Sequence, residues 1–187
     1  LWPHADVITA AWDDGIGQAR IAYKHNGLSA GQFRRRFYTS QWRAGAATPP
    51  VSAFVADEAD DLAARARGCV SADYYGISWI PTAGPTLAAA WMFRHQPPLG
   101  HSPERGWTYG NRGQVDLALL YQTETGGRWM RLPGQPDWLA ADDAPHWARG
   151  SLYAASHALD VGDETWLYFT GTPELHGWAG AGVELRA

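Results

Sequence analysis

The stretch AASHALDVGDETWLYFTG, residues 154–171, decides how this chain is read. A small-residue apolar arm runs into a charged turn at 160–165, and an arm carrying Trp166, Tyr168 and Phe169 returns from it. Two strand-like arms around a glycine-containing turn predict a β-hairpin. The same layout occurs twice more, as VITAAW–DDGIGQ–ARIAYKH with its turn at 13–18 and as YGISWI–PTAGPT–LAAAWMF with its turn at 81–86. A supersecondary unit returning after roughly 70–80 residues is the mark of a repeat architecture.

Each hairpin is followed by a further strand candidate: FRRRFYTSQW (33–42), VDLALLYQTETGGRWMRL (115–132, with a Gly-Gly turn and a return that starts at Trp129), and AGVELRA (181–187). Four antiparallel strands per repeat, with small residues on the first arm and Trp91, Phe93, Trp166 and Tyr168 on the second, suit a radial assembly. Small side chains fit near its axis, and aromatic ones fill the wedge between neighbouring sheets. The expectation is an all-β chain, a β-propeller of four-stranded blades spanning 7–65, 73–147 and, in part, 152–187. About two and a half blades do not close a ring, so the chain reads as a piece of a longer protein or as one that self-associates through open edges. The one helix expected, DEADDLAARARG (57–68), lies in a connection.

Composition narrows the function. The chain has 187 residues, a net charge of −4, 11 Trp and 8 Tyr. Acidic balance gives no basic footprint for nucleic acid, and no apolar run is long enough for a membrane span. Lys24 is the only lysine among 15 basic residues, and Cys69 is the only cysteine, which excludes an intrachain disulfide and a cysteine-based zinc site. Arg34-Arg35-Arg36 reads as alternation across a strand edge rather than as a phosphate site. The acidic run Asp57, Glu58, Asp60, Asp61 reads as a solvated loop. No compartment is indicated, and no cofactor is called for.

Four motifs in order carry a family resemblance: Asp73-Tyr74-Tyr75-Gly76-Ile77, Tyr121 to Trp129, Tyr153-Ala154-Ala155-Ser156, and Trp166-Leu167-Tyr168-Phe169-Thr170-Gly171. Over roughly residues 50–178 the chain resembles the five-bladed propeller glycosidases of the family 32 and family 43 superfamily. That resemblance implies a five-bladed fold and hydrolase activity on a carbohydrate. The family's carboxylate positions fall near Ile77 and Ala155, where no acid stands. Gln122 to Trp129 also resembles a degenerate Asp-box of sialidase-like propellers, with Glu124 in place of Asp.

Ligand sites of a propeller gather at the channel mouth, where first strands start and second strands end. Those positions hold Asp6, Asp73 with Tyr75, and Arg149 on one side. On the other they hold His25, His95, Glu174 and His176, with Trp178 just beyond. Glycoside hydrolysis uses one protonated and one charged carboxyl. Glu174 is the candidate acid and Asp73 the candidate base or charge stabiliser. Asp6, Arg149 and the histidines would hold hydroxyls, and Tyr75 or Trp178 would stack on a sugar ring. Metal binding by His25, His95 and His176 has no short ligand spacing behind it. Two functions follow: a glycosidase-like propeller acting through a carboxylate pair, or a non-catalytic propeller that binds carbohydrate or protein.

Overall fold

The structure, a computed structural model, describes residues 6–29, 32–43, 45–82, 84–102, 107–124, 127–132 and 137–177. In chain order the elements are β1 (Ile8–Asp13), β2 (Gln18–Ser29), β3 (Gln32–Arg43), β4 (Ala46–Ala47), β5 (Val51–Val55), α1 (Glu58–Ala66), β6 (Ser71–Ile80), β7 (Thr86–His95), β8 (Gly100–Ser102), β9 (Trp107–Tyr109), β10 (Gly113–Gln122), β11 (Met130–Arg131), β12 (Ser151–Ala154), β13 (Leu159–Val161), β14 (Glu164–Trp166) and β15 (Phe169–Thr172). Strands dominate, so the all-β class holds. Among the described residues the sheets do not close into a ring or barrel.

The first sheet is an antiparallel meander β1-β2-β3, with β4 and β5 both pairing β3. Its first turn closes where alternation predicts, with Asp13 opposite Gln18. Asp13 Oδ1 accepts from Gly15 N at 2.9 Å, an Asx-type bond that shapes the turn. The second sheet repeats the pattern, with β6-β7-β10 antiparallel and β11 returning against β10. The second turn lies between Ile80 and Thr86, as expected.

The third hairpin exists but is broken. β12 pairs β15 and β13 pairs β14, with the turn at Gly162, whose φ of 64° needs a glycine. Residues 156–158 leave the hairpin for β6. Trp79 N donates to Ser156 O at 2.9 Å, and Ala158 N donates to Trp79 O at 2.8 Å, in parallel register. Through β12, which meets β10 in parallel, this hairpin joins the second sheet. The strand expected at 181–187 lies outside the described residues.

Two layers form one core. Ala22, Phe37 and Phe54 of the first sheet pack on Tyr74, Ile77, Trp79, Met92 and Leu120 of the second. β6 and β7 are buried on both faces, because the first sheet covers one side and the third hairpin covers part of the other. Hence the run Ala88-Ala89-Ala90: Ala88 and Ala90 face the main core, while Ala89 packs with Ile80 and Ala158. Phe93 fills its layer completely. Trp166 and Tyr168, expected in a wedge, are instead exposed, since no described residue covers that face of the hairpin.

Gly76 sits at a β-bulge, where a Cβ would stand 2.1 Å from the Trp91 ring. Gly76→Ala is expected to cost about 1–3 kcal/mol by overpacking. A lower urea midpoint at unchanged slope would show it, and an unchanged midpoint would refute the Trp91 placement.

The helix spans 58–66 with Asp57 as its N-cap in a reciprocal capping box with Asp60. This corrects the solvated-loop reading, because Asp60 and Asp61 are buried. Asp60 accepts from Tyr74 Oη at 3.2 Å and Arg131 Nη2 at 2.7 Å, and Asp61 pairs with Arg34. The arginine run is corrected too: Arg34 and Arg35 are both buried in ion pairs, not alternating at an edge. No helix among the described residues is long and apolar enough to cross a membrane.

Candidate functional site

Three chain segments meet where β1 and β6 start and where the chain leaves β15. Residue 24 of β2, residue 35 of β3 and residues 93 and 95 of β7 face the same place. Strand alternation turns Lys24 inward and leaves His25 on the other face, against Tyr38.

Lys24 is 2% exposed and its Nζ lies 2.5 Å from Asp6 Oδ1. The same ammonium sits 3.6 Å from the Tyr75 ring centroid, a cation–π contact, and Tyr75 Oη donates to Asp6 Oδ2 at 2.9 Å. Asp6 is the outer member, with a side chain 64% exposed. Burial pushes the Asp6 carboxyl up, but the hydrogen bonds from Lys24 and Tyr75 outweigh it and the net shift is downward. Burial pulls the Lys24 ammonium below its usual range, partly offset by Asp6.

Behind this pair lies Asp73, 1% exposed. Its Oδ2 meets Arg35 Nη1 at 3.1 Å and His95 Nε2 at 2.9 Å, and its Oδ1 lies 3.7 Å from Arg34 Nη1. Arg35 Nη2 also donates to Gly110 O at 2.8 Å. Position 110 is fixed as glycine, since a Cβ there would meet the His95 ring at 2.0 Å.

His176 completes the cluster from the chain end. Its backbone exchanges hydrogen bonds with Gly113, and its Nδ1 lies 2.9 Å from Tyr153 Oη. Its ring packs 4.7 Å from Tyr75 and 4.8 Å from Phe93. Burial, then the nearby Arg35 and Lys24 charges, lowers its pKa, so a neutral imidazole is favoured there.

Five of the expected residues therefore converge: Asp6, Asp73, Tyr75, His95 and His176. The others do not join them. His25 lies across the strand. Arg149 is exposed, and its Nε donates to Ala144 O at 3.3 Å in the loop of 3-10 turns before β12. Glu174 is exposed in the turn after β15, where its backbone oxygen accepts from the Ser151 and Thr172 hydroxyls. Trp178 lies outside the described residues. Two roles change with these placements. Asp73 is enclosed by basic groups and meets no solvent, which suits holding His95 and Arg35 rather than touching a ligand. Tyr75 is 8% exposed, with Lys24, His176 and Phe93 around its ring, so no sugar can lie on it.

Sequence reasoning missed Lys24, Arg35, Phe93 and Tyr153. A single lysine placed mid-strand in an arginine-rich chain was the one available signal for Lys24. Among the described residues no three metal-ligating side chains come together. No family model, no curated protein and no solved structure matches the chain.

Proposed function

We propose that the chain is part of a carbohydrate-binding β-propeller of the glycosidase type, and that the Asp6–Lys24–Tyr75–His176 cluster is its sugar site. The observation that carries this reading is Asp6. Its exposed carboxylate is held in place by a buried ammonium and a phenol, and a rigid acceptor of that kind suits paired sugar hydroxyls. Two features support the propeller. Each of the first two sheets is an antiparallel meander, and β6 runs parallel to residues 156–158 of the third hairpin, the relation expected of first strands in neighbouring blades.

Hydrolysis is the second reading. It is favoured by Glu174, an exposed carboxyl in the turn after β15 and two positions from His176 in sequence. Asp6, rather than the enclosed Asp73, would then be the charged partner and Glu174 the acid.

The test is a glycan array on the purified chain. Binding that disappears in Asp6→Asn and in Lys24→Met, with far-UV circular dichroism unchanged, supports the site. A profile in which both variants keep every glycan that the wild-type chain binds overturns it, as does the absence of any glycan bound. Release of reducing sugar that stops in Glu174→Gln assigns hydrolysis as well.

A further inference from the structure

The opposite end of the fold carries a second cleft, where the turns of all three hairpins converge. Its volume is about 760 Å³, within the span of roughly 300–1,000 Å³ usual for small-ligand pockets. Its walls are Trp12 to Ile16 of the first hairpin, Trp79 to Thr82 with Gly84 and Thr86 of the second, and His157, Asp160 and Thr165 of the third.

We infer that this turn-face cleft is a separate binding site for a neutral oligosaccharide chain, with Trp12 as its stacking platform. Trp12 is 63% exposed, yet its Nε1 donates to Asp14 Oδ1 at 2.9 Å, which fixes the indole plane instead of leaving it to rotate. A fixed, exposed aromatic face is what the C–H side of a pyranose ring packs on. Around it stand short polar groups, and the long charged side chain in the lining, Arg20, is paired with Asp13. Thr165 Oγ1 donates to Asp160 Oδ1 at 3.0 Å, and Asp13 is neutralised by Arg20. Trp79 also lines the cleft, but it is 4% exposed and packs into the main core, so Trp12 is the ring left for a ligand. Asp13, Asp14 and Asp160 outnumber Arg20 in the lining, which disfavours an anionic ligand. One platform without a cage of rings disfavours a quaternary ammonium.

The experiment is a fluorescence and calorimetric titration of the wild-type chain with cellohexaose, xylohexaose, mannohexaose and maltohexaose, and with choline as the cationic probe. At least one hexasaccharide is expected to bind saturably and shift tryptophan emission. Trp12→Ala should weaken it by roughly tenfold or more, and Asp6→Asn should leave it unchanged. Trp12 is largely exposed, so its truncation leaves the core intact, and Trp12→Phe should recover part of the affinity. Failure of all four hexasaccharides, binding indifferent to Trp12→Ala, or choline binding in their place overturns the inference. So does a loss shared equally by Asp6→Asn, which would mean a single site. Sensitivity to Asp6 alone would spare the strand-start proposal and sink this one.

Discussion

Asp116→Ala is expected to lower folding stability by about 3–5 kcal/mol, the usual cost of removing one member of a buried ion pair. Asp116 is fully buried on β10. It pairs with Arg94 of β7, accepts from Ala141 N at 2.6 Å, and has Arg67 of the α1 terminus at 3.5 Å. Arg94 also meets Asp137 at 2.5 Å, and Arg67 meets Asp137 at 2.6 Å and Asp142 at 2.9 Å. Truncation leaves the Arg94 guanidinium with one carboxylate instead of two and orphans the Ala141 amide. The loop of 140–148 is otherwise docked by Arg67 and Gln114 on Asp142, by Trp147 stacked on Phe169, and by the small cluster of Ala141, Ala144 and Ala148 around Leu152. In urea unfolding the midpoint should fall sharply, and Asp116→Asn, which keeps an acceptor for Ala141, should recover part of the loss. A wild-type midpoint in Asp116→Ala would contradict this network.

Asp73→Asn is the second large effect, and it separates two roles for the same residue. As the enclosed partner of Arg35 and His95, Asp73 contributes to the fold. Its neutralisation should cost about 3–5 kcal/mol, because Arg35 and Arg34 then lose a buried counter-charge. As a ligand-facing carboxylate it would instead lose binding or rate at unchanged stability. Thermal unfolding and glycan binding measured on the same preparation distinguish these outcomes. Loss of stability, with residual binding in the folded fraction, is predicted. Full stability with abolished binding would return Asp73 to the ligand.

The order of hairpins was legible because turn chemistry and strand alternation are local. Asp13 to Gln18 and the Pro81–Pro85 stretch mark their turns within a few residues. The third hairpin was legible only in outline. Its break at 156–158 comes from β6, and Trp79 lies nearly 80 positions earlier in the chain. Charge partners were illegible for the same reason. Arg35 meets Asp73 across 38 positions and Arg131 meets Asp60 across 71, so a run of arginines or aspartates reads as surface until its partner is seen. Of the site, the repeat-derived positions brought Asp6, Asp73, Tyr75, His95 and His176 together, since strand ends at one sheet edge converge. Which of these face solvent was beyond the pattern. Alternation alone does not say that Glu174 turns outward while Asp73 is sealed in.

The most direct measurement is a crystal structure of the chain soaked with the glycan that binds best on the array. A sugar is expected with hydroxyls within hydrogen-bond distance of the Asp6 carboxylate and near His176, with the Asp73–His95–Arg35 network undisturbed behind it. A sugar found only at the turn-face cleft, with the Asp6 cluster empty of ligand, would contradict the central claim.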